Sequence, residues 1–269
     1  MSKPFLKWAG GKAKLVPFIE SNLPKNQRKR LIEPFSGSGA ISFGIEFESY
    51  VLADTNADLI NLFESLKTEK QSFIDYSQSF FIPENNQEER FYELREQFNQ
   101  SKDKLERSAL FMYLNRHAYN GLCRYNSKGI FNVPFGRYKT IYFPIAEMQN
   151  FINKSDRVLL IHDDFESVLS KVMPDDLIYC DPPYVPLSQT ASFTAYSQHG
   201  FNYQDQVRLA DLAKDTAKKT KGVLISNHDT DLTRELYKGA EIKTISVQRN
   251  ISAKGNNRTK ANEILAIFK

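Results

Sequence analysis

The sequence is poor in cysteine and contains no long apolar run. Its two cysteines, Cys123 and Cys180, are too few for a disulfide framework, and by themselves they cannot form a multi-ligand zinc site. No window approaches the roughly 18 uninterrupted apolar residues of a transmembrane helix. Residues 1–4 lack the apolar region of a signal peptide. These absences predict a cytosolic protein in a reducing compartment.

Histidine is also scarce, and its positions do not indicate a metal site. The four histidines show no ligand spacing with one another: His117, His162, His199 and His228. His162 is followed by two aspartates, but a loop at the end of a strand explains that group more simply than a metal site does. We therefore expect no metal.

The composition is that of an ordinary globular protein. The chain has 269 residues, of which 41% are apolar, 13% aromatic and 25% charged, and this is enough to bury a core in one large domain or in a domain with an insertion. The net charge of +4 is mild and only weakly indicates a polyanionic partner.

Two phosphate-binding patterns are incomplete. Gly10-Gly11-Lys12 resembles the end of a P-loop, but the earlier glycine is missing and Ala13 stands where Ser or Thr would hold Mg²⁺. Phe35–Ala40 is a Gly-x-Gly turn between a strand and a helical run, without the third glycine of the dinucleotide fingerprint. A pyrophosphate is therefore not the obvious ligand.

The next strand ends in an acid that suits a different part of a nucleotide. Tyr50–Ala53 is apolar and is followed by Asp54. A carboxylate at this place in a nucleotide-binding α/β protein can accept both hydroxyls of a ribose. The glycine turn and the acid, in this order, favour an adenosine-type ligand.

The N-terminal segment combines rigid and charged residues. Phe5–Lys12 contains the single tryptophan, Trp8, with Lys7, Lys12 and two glycines. We interpret it as a loop that leads into a helix from about Ala13, with Lys7, Trp8 and Lys12 facing a ligand. The alternative is that Trp8 is a core residue.

A short motif follows the most apolar part of the second half. Leu177–Tyr179 predicts a buried strand, and Asp181-Pro182-Pro183-Tyr184 comes directly after Cys180. The prolines end ladder bonding, so the motif emerges at the carboxyl edge of a sheet, where open α/β folds bind ligands. The Asp181 carboxylate and the Pro182 carbonyl can each accept a hydrogen bond from an exocyclic amino group, and Tyr184 offers a flat face to a nucleobase. A strand stop is the alternative.

The fold predicted is α/β, a Rossmann-like, mostly parallel sheet. Its seven strands are expected at Leu31–Glu33, Val51–Ala53, Val158–Ile161, Leu177–Cys180, Val223–Ser226, Ile242–Val247 and Ile264–Phe268. Helical patterns fall between most of them, at Phe165–Val172, Gln204–Thr220 and Thr230–Tyr237. The last two strands are joined without a helix, which implies an antiparallel hairpin.

A long helical stretch separates the second and third strands. The helical period runs from Leu59 to Glu106, much longer than an ordinary βα connection. We therefore predict an inserted, mainly helical subdomain at residues 57–144, within a catalytic domain made of residues 1–56 and 145–269. Tyr125–Phe131 predicts a hairpin turn between short strands in that insert.

Acidic residues are missing from the second half of this insert. No Asp or Glu lies between Glu106 and Glu147, and the same window carries six cations: Arg107, Arg116, Arg124, Lys128, Arg137 and Lys139. Aromatic and asparagine side chains alternate with them, including Tyr119, Tyr125, Phe131, Phe135, Tyr138, Asn120, Asn126 and Asn132. Arg and Asn can recognise guanine and adenine edges, and aromatic rings can stack or wedge between bases. An incidental basic loop is the alternative.

Two polar segments complete the predicted site. Leu187–Phe201 follows the tyrosine motif and is expected to be a mobile lid. Ser252–Asn262 joins the last two strands and carries three cations that could touch a phosphate backbone, Lys254, Arg258 and Lys260, with Arg249 before it. Solvated charge is the commoner explanation for them.

Together these motifs resemble the S-adenosylmethionine-dependent amino-methyltransferases of DNA. The resemblance rests on Phe5–Lys12, Glu33–Gly39, Leu52–Asp54 and Tyr179–Tyr184, in that order, which is that of the α group. Asn115–Asn126 and Phe131–Tyr138 closely resemble the DNA adenine methylase family. The resemblance implies a methyltransferase sheet with a recognition insert, methylation of adenine N6 in duplex GATC, base flipping, and a cytoplasmic, nucleoid-associated protein of bacterial or phage origin.

The resemblance also implies roles for particular residues. The catalytic group is Asp181, Pro182, Pro183 and Tyr184, which would hold the flipped base. Asp54 would hold the ribose, and Phe165 would stack against the adenine of the cofactor. The whole cofactor set is Trp8, Ala9, Gly10, Lys12, Pro34, Phe35, Ser36, Gly37, Ser38, Gly39, Asp54, Phe165 and Asp181.

A second implied set addresses double-stranded DNA. Tyr119 and Asn120 would fill or wedge the opened stack. The residues that would address the recognition sequence are Lys7, Leu122, Arg124, Asn126, Pro134 and Arg137. The set is Lys7, Tyr119, Asn120, Leu122, Arg124, Asn126, Asn132, Pro134, Arg137 and Tyr138. No metal is implied, and we expect a monomer.

Several rival functions use the same features. N4-cytosine methylation shares the chemistry of the amino group, and a non-catalytic DNA-binding protein could keep a methyltransferase scaffold. Glutamine methylation usually has Asn in place of Asp181 and needs no basic insert. Cys180 lacks the preceding proline of cytosine-C5 enzymes and faces away from Asp181, so we predict a core residue. A hydrolase with Ser38 would need Gly-x-Ser-x-Gly, which is absent.

Overall fold

The seven predicted strands form a single sheet. The computed structural model describes residues 3–24, 28–185, 201–248 and 260–269. In this part of the chain the strands are β1 (Arg30–Glu33), β2 (Ser49–Asp54), β3 (Val158–His162), β4 (Asp176–Cys180), β5 (Val223–His228), β6 (Glu241–Gln248) and β7 (Lys260–Phe268). Their order in the sheet is β3-β2-β1-β4-β5-β7-β6, which confirms the predicted α/β fold.

Helices connect most of these strands. The described α-helices are α1 (Val16–Ser21), α2 (Ala40–Gly44), α3 (Ala57–Glu69), α4 (Gln71–Gln78), α5 (Glu88–Gln100), α6 (Lys104–His117), α7 (Ile145–Lys154), α8 (Phe165–Leu169), α9 (Tyr203–Ala217) and α10 (Asp231–Leu236). Short 3₁₀ turns lie at Pro83–Asn85, Tyr119–Gly121 and Ser155–Arg157. Helix α2 is shorter than the helical run Ile41–Phe47 that the sequence predicts, because the backbone at Ile45 is already extended.

The centre of the sheet contains the place where the strand order reverses. Strand β1 pairs in parallel with β2 on one side and with β4 on the other. The connection from β1 therefore runs one way along the sheet, and the connection from β4 to its parallel neighbour β5 runs the other way. Ligands bind at the carboxyl ends of strands at such a reversal. In this chain those ends carry Glu33-Pro34-Phe35 and Asp181-Pro182.

The two last strands form the predicted antiparallel hairpin. Strand β7 lies between β5 and β6 and pairs antiparallel with both. Of the predicted loop Ser252–Asn262, residues 260–262 belong to β7. The rest, with Lys254 and Arg258, lies outside the described residues, as does Arg249. The predicted lid lies outside them too, except for Phe201.

Helices occupy most of the stretch between β2 and β3, as the helical period predicted, while the bounds of the insert as a domain stay a prediction. Helix α6 is buried over residues 108–117, so it is the central helix of the insert rather than an amphipathic surface helix. The predicted hairpin is reduced to one antiparallel bridge between Tyr125 and Phe131. Two backbone hydrogen bonds cross it, from the Asn126 N–H to the Ile130 carbonyl and from the Asn132 N–H to the Arg124 carbonyl. The Phe131 N–H donates instead to the Asn99 Oδ1 of α5, so the ladder is not continued.

The chain divides into two compact units. Unit 1 contains residues 1–22, 36–46 and 54–162, and unit 2 contains residues 23–35, 47–53 and 163–269. Unit 1 thus carries the N-terminal loop, the glycine turn, Asp54 and the insert, while unit 2 carries the tyrosine motif. The predicted domain bounds remain a prediction. Within the described ranges, no helix is long and apolar enough to cross a membrane.

Candidate functional site

The glycine turn of unit 1 is tied to the acid at the end of β2. Gly37 and Gly39 have positive φ angles of 47° and 69°, which residues with a Cβ rarely adopt. The Gly37 N–H donates to the Asp54 Oδ2 at 3.0 Å, and the Asn56 N–H donates to Oδ1 at 3.0 Å. The turn and the acid that were predicted to share a ligand are therefore joined directly.

Burial shapes the chemistry of Asp54. Desolvation raises its pKa, while hydrogen bonds from the backbone of Asn56 and Gly37 and the nearby charge of His162 act in the opposite direction. Each carboxylate oxygen has a second acceptor site. Asp54 can therefore still accept hydrogen bonds from the hydroxyls of a ribose.

The single tryptophan covers the glycine turn. A Cβ placed on Gly37 would lie 2.6 Å from the Trp8 Nε1, so the indole packs directly on the glycine backbone. Trp8 is half-buried, and thus it neither disappears into the core nor stands free in solvent. Trp8 is therefore not a fully buried core residue, and its role towards a ligand stays a prediction.

The rest of the N-terminal loop is divided between exposed and buried residues. Ala9 and Gly10 are exposed. Lys12 is 6% exposed, and its Nζ donates to the Gly10 carbonyl at 2.7 Å. This places an ammonium group beside the loop backbone, where it fixes the loop's shape. Its role towards a cofactor stays a prediction.

The glycine turn has a polar atom in need of a partner. The Ser36 Oγ is buried and has no hydrogen-bond partner among the described residues, and Ser38 is also buried at 4% exposure. A buried hydroxyl without a partner is costly. A polar ligand at this turn would satisfy it, so the residues present fit an adenosine-type cofactor.

An aromatic cluster in unit 2 contains two more predicted cofactor residues. Phe35 stacks on Phe165, with ring centroids 5.4 Å apart and planes 26° apart, and Phe201 meets both rings edge-on. The Arg208 guanidinium lies 4.9 Å from the Phe165 centroid. An adenine ring that stacks on Phe165 would have to share or replace one of these contacts. Pro34 precedes this cluster and is buried.

The tyrosine motif emerges directly from β4, as predicted. Asp181 is half-buried, Pro182 is buried and Pro183 is exposed. The Pro183 carbonyl accepts a hydrogen bond from the Gln206 Nε2 at 2.7 Å. Cys180 is fully buried, which confirms that it is a core residue.

Tyr184 is held through both its hydroxyl and its ring. The hydroxyl donates to the Glu263 Oε2 at 3.0 Å, and the ring meets that of His228 edge-on at 4.7 Å. Burial, followed by the negative charge of Asp181, raises the pKa of Tyr184 well above its usual value. The side chain is thus a neutral phenol with a fixed ring plane, as a stacking surface for a base requires.

Most of the predicted DNA-contacting residues are accessible. Tyr119, Asn120, Arg124, Asn126, Pro134 and Arg137 are exposed, and the half-buried ones are Lys7, Leu122, Asn132 and Tyr138. All lie in unit 1. Lys7 contacts the insert. Its backbone N–H donates to the Asn115 Oδ1 at 2.9 Å, and its Nζ lies 4.2 Å from the Tyr138 centroid.

Several of these polar groups already have partners within the insert. The Arg124 Nε donates to the Asn132 Oδ1 at 2.8 Å. The Asn126 Oδ1 accepts from the Lys128 and Ile130 N–H groups, so this residue shapes the turn. Arg137 forms an exposed ion pair with Glu88 at 2.7 Å. Base recognition by these residues stays a prediction.

Four residues between Glu106 and Glu147 form contacts within the protein rather than an exposed surface. Phe131 and Phe135 are 1% and 9% exposed and belong to the core of the insert rather than to a stacking surface. Arg116 is 7% exposed and donates to the Phe5 carbonyl, and Arg107 forms an ion pair with Asp58. The interpretation of the whole window as a DNA-facing surface was therefore too broad, since a local charge count cannot separate surface cations from buried ones.

Sequence reasoning missed the residues that support the site. Gln206 and Glu263 contact the tyrosine motif. Asn227 contacts Val185, the residue that follows the motif, and Asn99 contacts the insert loop. They come from distant segments, and no local pattern marks them. No cluster of three or more potential metal ligands occurs within the described ranges.

Comparisons with known proteins agree with the motifs. Residues 8–251 match the family model of the D12 class N6 adenine-specific DNA methyltransferases. The chain is 49% identical over 267 residues to the DNA adenine methylase of Vibrio cholerae serotype O1, covering 99% of this chain and 96% of that protein. It is 48% identical to that of Haemophilus influenzae, covering 99% and 93%. Its identity to the Escherichia coli K12 protein is 44%, covering 100% and 96%.

Proposed function

The chain belongs to the family of D12 class N6 adenine-specific DNA methyltransferases, and from this premise we propose that it methylates adenine in double-stranded GATC after rotating the base out of the helix. As a member of this family it is an adenine-N6 DNA methyltransferase, and membership implies the use of S-adenosylmethionine. The finer points of the proposal are the GATC sequence, the extruded base and the residues that act on it. We also expect the protein to act as a monomer.

The observation that carries the proposal is the geometry of the tyrosine motif. Asp181 and Pro182 follow the last residue of β4, at the reversal of strand order. Their oxygens can accept two hydrogen bonds from one amino group, which would increase the availability of the nitrogen lone pair. Tyr184 is neutral and fixed by Glu263 and His228, so its ring can stack on a base.

Catalysis by this motif is positioning and polarisation. The cofactor, when bound, supplies an electrophilic methyl group on sulfur. The residues of the chain hold the adenine amino nitrogen in place, and such positioning can supply a large part of the rate enhancement of a bimolecular transfer. Asp54 and the glycine turn would hold the cofactor, and the proton that N6 loses when it takes the methyl group would pass to the Asp181 carboxylate or to water.

Base rotation is proposed from the chemistry of the target. An amino nitrogen inside a stacked duplex cannot be reached by a motif at a sheet edge, so the base has to leave the stack. Tyr119 is 52% exposed, and the neighbouring Asn120 has a positive φ of 53°. An exposed aromatic next to a strained residue suits a group that enters the gap left by the base.

A methylation assay tests this proposal. The protein is incubated with methyl-labelled S-adenosylmethionine and with duplexes that differ only at GATC, and the modified base is identified by mass spectrometry. We expect N6-methyladenine in GATC duplexes. Label in N4-methylcytosine, or equal label in duplexes without GATC, would overturn the proposal.

A variant of the motif separates an enzyme from a DNA-binding protein. We expect Asp181→Ala to lose methyl transfer by about a hundredfold or more, which is the usual effect of removing one positioned polar group. Its affinity for DNA should stay close to that of the unchanged protein. An unchanged transfer rate would remove Asp181 from the mechanism.

Arg124 tests the proposed recognition of the sequence. We expect Arg124→Ala to reduce the discrimination against one altered base pair by about 1–3 kcal/mol. If affinity instead falls equally for all duplexes, Arg124 contacts phosphate rather than a base.

A further inference from the structure

We propose that two buried amides, Gln206 and Asn227, are positioning residues for methyl transfer. They bind the backbone on either side of Tyr184, at Pro183 and at Val185, and thereby fix the place of its ring. Neither touches the reacting atoms. The inference rests on the proposed function of the motif and adds to it the part of the protein that holds the motif in place.

The first amide comes from helix α9. Gln206 is 1% exposed, and its Nε2 donates to the Pro183 carbonyl at 2.7 Å. Pro183 has no N–H of its own, so the carbonyl is the only backbone hydrogen-bonding group of this residue. The bond from Gln206 fixes the backbone immediately before Tyr184.

The second amide comes from strand β5. Asn227 is fully buried, and its Oδ1 accepts the Val185 N–H at 3.1 Å. The Val185 carbonyl is bonded by the His228 Nδ1 at 2.7 Å. The residue immediately after Tyr184 is therefore held through both of its backbone groups.

The two amides also bind each other. The Asn227 Nδ2 donates to the Gln206 Oε1 at 3.3 Å and to the Tyr237 hydroxyl at 2.9 Å. Each carboxamide thus uses both its donor and its acceptor in the same network. Burying two amides is costly unless they are hydrogen-bonded, and here the bonds that offset this cost lead to the motif.

The motif needs such support because it cannot support itself. Its two prolines donate no ladder hydrogen bonds, and β4 ends at Cys180. Without the amides, the position of Tyr184 would depend on the bond between His228 and the Val185 carbonyl and on contacts of the Tyr184 side chain, such as those with Glu263 and His228. A displacement of about 1 Å from productive geometry can reduce a rate by about a hundredfold, so the backbone contacts bear directly on the transfer.

The main test compares two substitutions in the same helix. Gln206→Met keeps the length of the side chain and removes the amide, while Gln204→Met makes the same change at an exposed position one half-turn earlier. Single-turnover methylation of a GATC duplex is measured at saturating S-adenosylmethionine, together with the equilibrium affinities for duplex and cofactor. We expect Gln206→Met to reduce the rate about 10- to 100-fold with both affinities within about threefold, and Gln204→Met to match the unchanged protein.

A second variant distinguishes positioning from simple loss of stability. In Gln206→Glu a protonated carboxyl can still donate to the Pro183 carbonyl, whereas the ionised form repels it, and burial raises the pKa of such a carboxyl. Relative to the unchanged protein, the activity of Gln206→Glu should rise as the pH is lowered from about 8 to about 6. The relative activity of Gln206→Met should not change over this range.

A third measurement does not depend on activity. Hydrogen exchange at the Val185 amide should be faster in Gln206→Met, and to a smaller extent in Tyr237→Phe, which removes one partner of Asn227 and keeps the ring. If Gln206→Met fails to fold, Tyr237→Phe takes its place in the test. We expect it to reduce the single-turnover methylation rate by less than is expected of Gln206→Met and to leave the affinities for duplex and cofactor unchanged.

The outcomes separate this inference from the proposed function. If Asp181→Ala abolishes transfer but Gln206→Met and Tyr237→Phe transfer at the unchanged rate with slow exchange at Val185, the positioning inference is wrong and the function stands. If the unchanged protein transfers no methyl group to adenine, the function fails and the inference fails with it.

Discussion

At the scale of single residues, the contact between Trp8 and Gly37 makes two distant parts of the sequence depend on each other. The indole occupies the space where any other residue at position 37 would place its Cβ. The backbone at Gly37 is also in the left-handed region, with φ at 47°. Position 37 is therefore restricted to glycine for two separate reasons, one steric and one conformational.

Gly37→Ala and Gly129→Ala separate these two reasons. Gly129 has a φ of 71°, but nothing lies within 4 Å of its Cβ position. We expect Gly129→Ala to lose about 1 kcal/mol of the free energy of unfolding from backbone strain. Gly37→Ala should lose at least about 1 kcal/mol more, since Trp8 has to move, and it should also bind S-adenosylmethionine more weakly. Urea unfolding and calorimetry measure both effects, and equal stability of the two variants would contradict the steric account.

His117 is a second residue whose surroundings determine its chemistry. Its ring stacks on that of Tyr113 at 3.9 Å, and it is 1% exposed. Burial lowers its pKa to about 4, the bond to the Tyr113 carbonyl acts in the opposite direction, and the charge of Lys7 lowers it further. The folded protein therefore keeps this imidazole neutral at a pH where the unfolded chain protonates it.

This difference predicts a loss of stability in acid. The unfolded state binds a proton below about pH 6.5, while the folded state does so only near pH 4, so stabilisation is complete above pH 6.5 and is lost as the pH falls to 4. The loss attributable to His117 is about 3 kcal/mol at most. Between pH 6.5 and pH 4, the free energy of unfolding should fall less steeply for His117→Asn than for the unchanged protein. Tyr113→Phe keeps His117, so its free energy of unfolding should be lower at every pH but fall with the same slope as that of the unchanged protein.

At the scale of elements, helix α5 acts as a support for the loop of the insert. The Asn99 Oδ1 accepts the Phe131 N–H at 2.9 Å, and its Nδ2 donates to the Phe131 carbonyl at 3.2 Å. Arg95 donates to the Val133 carbonyl at 3.1 Å. These bonds replace the ladder that a longer hairpin would have, and they hold the residues next to Asn132 in place.

Asn99→Leu tests this support. We expect it to reduce the discrimination between GATC and a duplex with one altered base pair by about 1 kcal/mol, because the loop that presents Arg124 and Asn132 is no longer fixed. Gln100→Leu alters the neighbouring exposed position and should leave discrimination unchanged. The ratio of the methylation rates on the two duplexes measures this discrimination. Equal discrimination in both variants would show that the loop does not need α5 to select the sequence.

At the scale of the whole molecule, the small net charge hides an uneven distribution. The net charge is +4, yet the insert has no acid between Glu106 and Glu147, and Arg124, Lys128, Arg137 and Lys139 are all exposed there. Exposed cations that contact phosphates release counterions on binding, so their number sets the salt dependence of DNA affinity.

The salt dependence can be tested with a double substitution. We expect Lys128→Gln combined with Lys139→Gln to reduce the slope of log affinity against log salt concentration by about 2, roughly one for each phosphate that the protein no longer neutralises. Lys218, the residue after α9, is an exposed cation that pairs with Asp215. Lys218→Gln should not alter the slope. Affinities measured by fluorescence anisotropy at several salt concentrations decide it, and an unchanged slope would exclude both lysines from the contact with DNA.

The sequence by itself determined the sheet, because apolar runs of strand length and the absence of a helix before β7 are local patterns. It also predicted an adenosine-type ligand and a target amino group, since Asp54 and Asp181 each directly follow a predicted strand, and the roles of these two residues stay predictions. Only the tertiary structure decided which polar side chains support the site. Gln206, Asn227 and Asn99 gain their roles from contacts between segments far apart in the chain, and local sequence holds no trace of such contacts. Burial was decided in the same way: Arg116 and Arg124 look alike in the sequence, but packing around α6 places one in the core and leaves the other exposed.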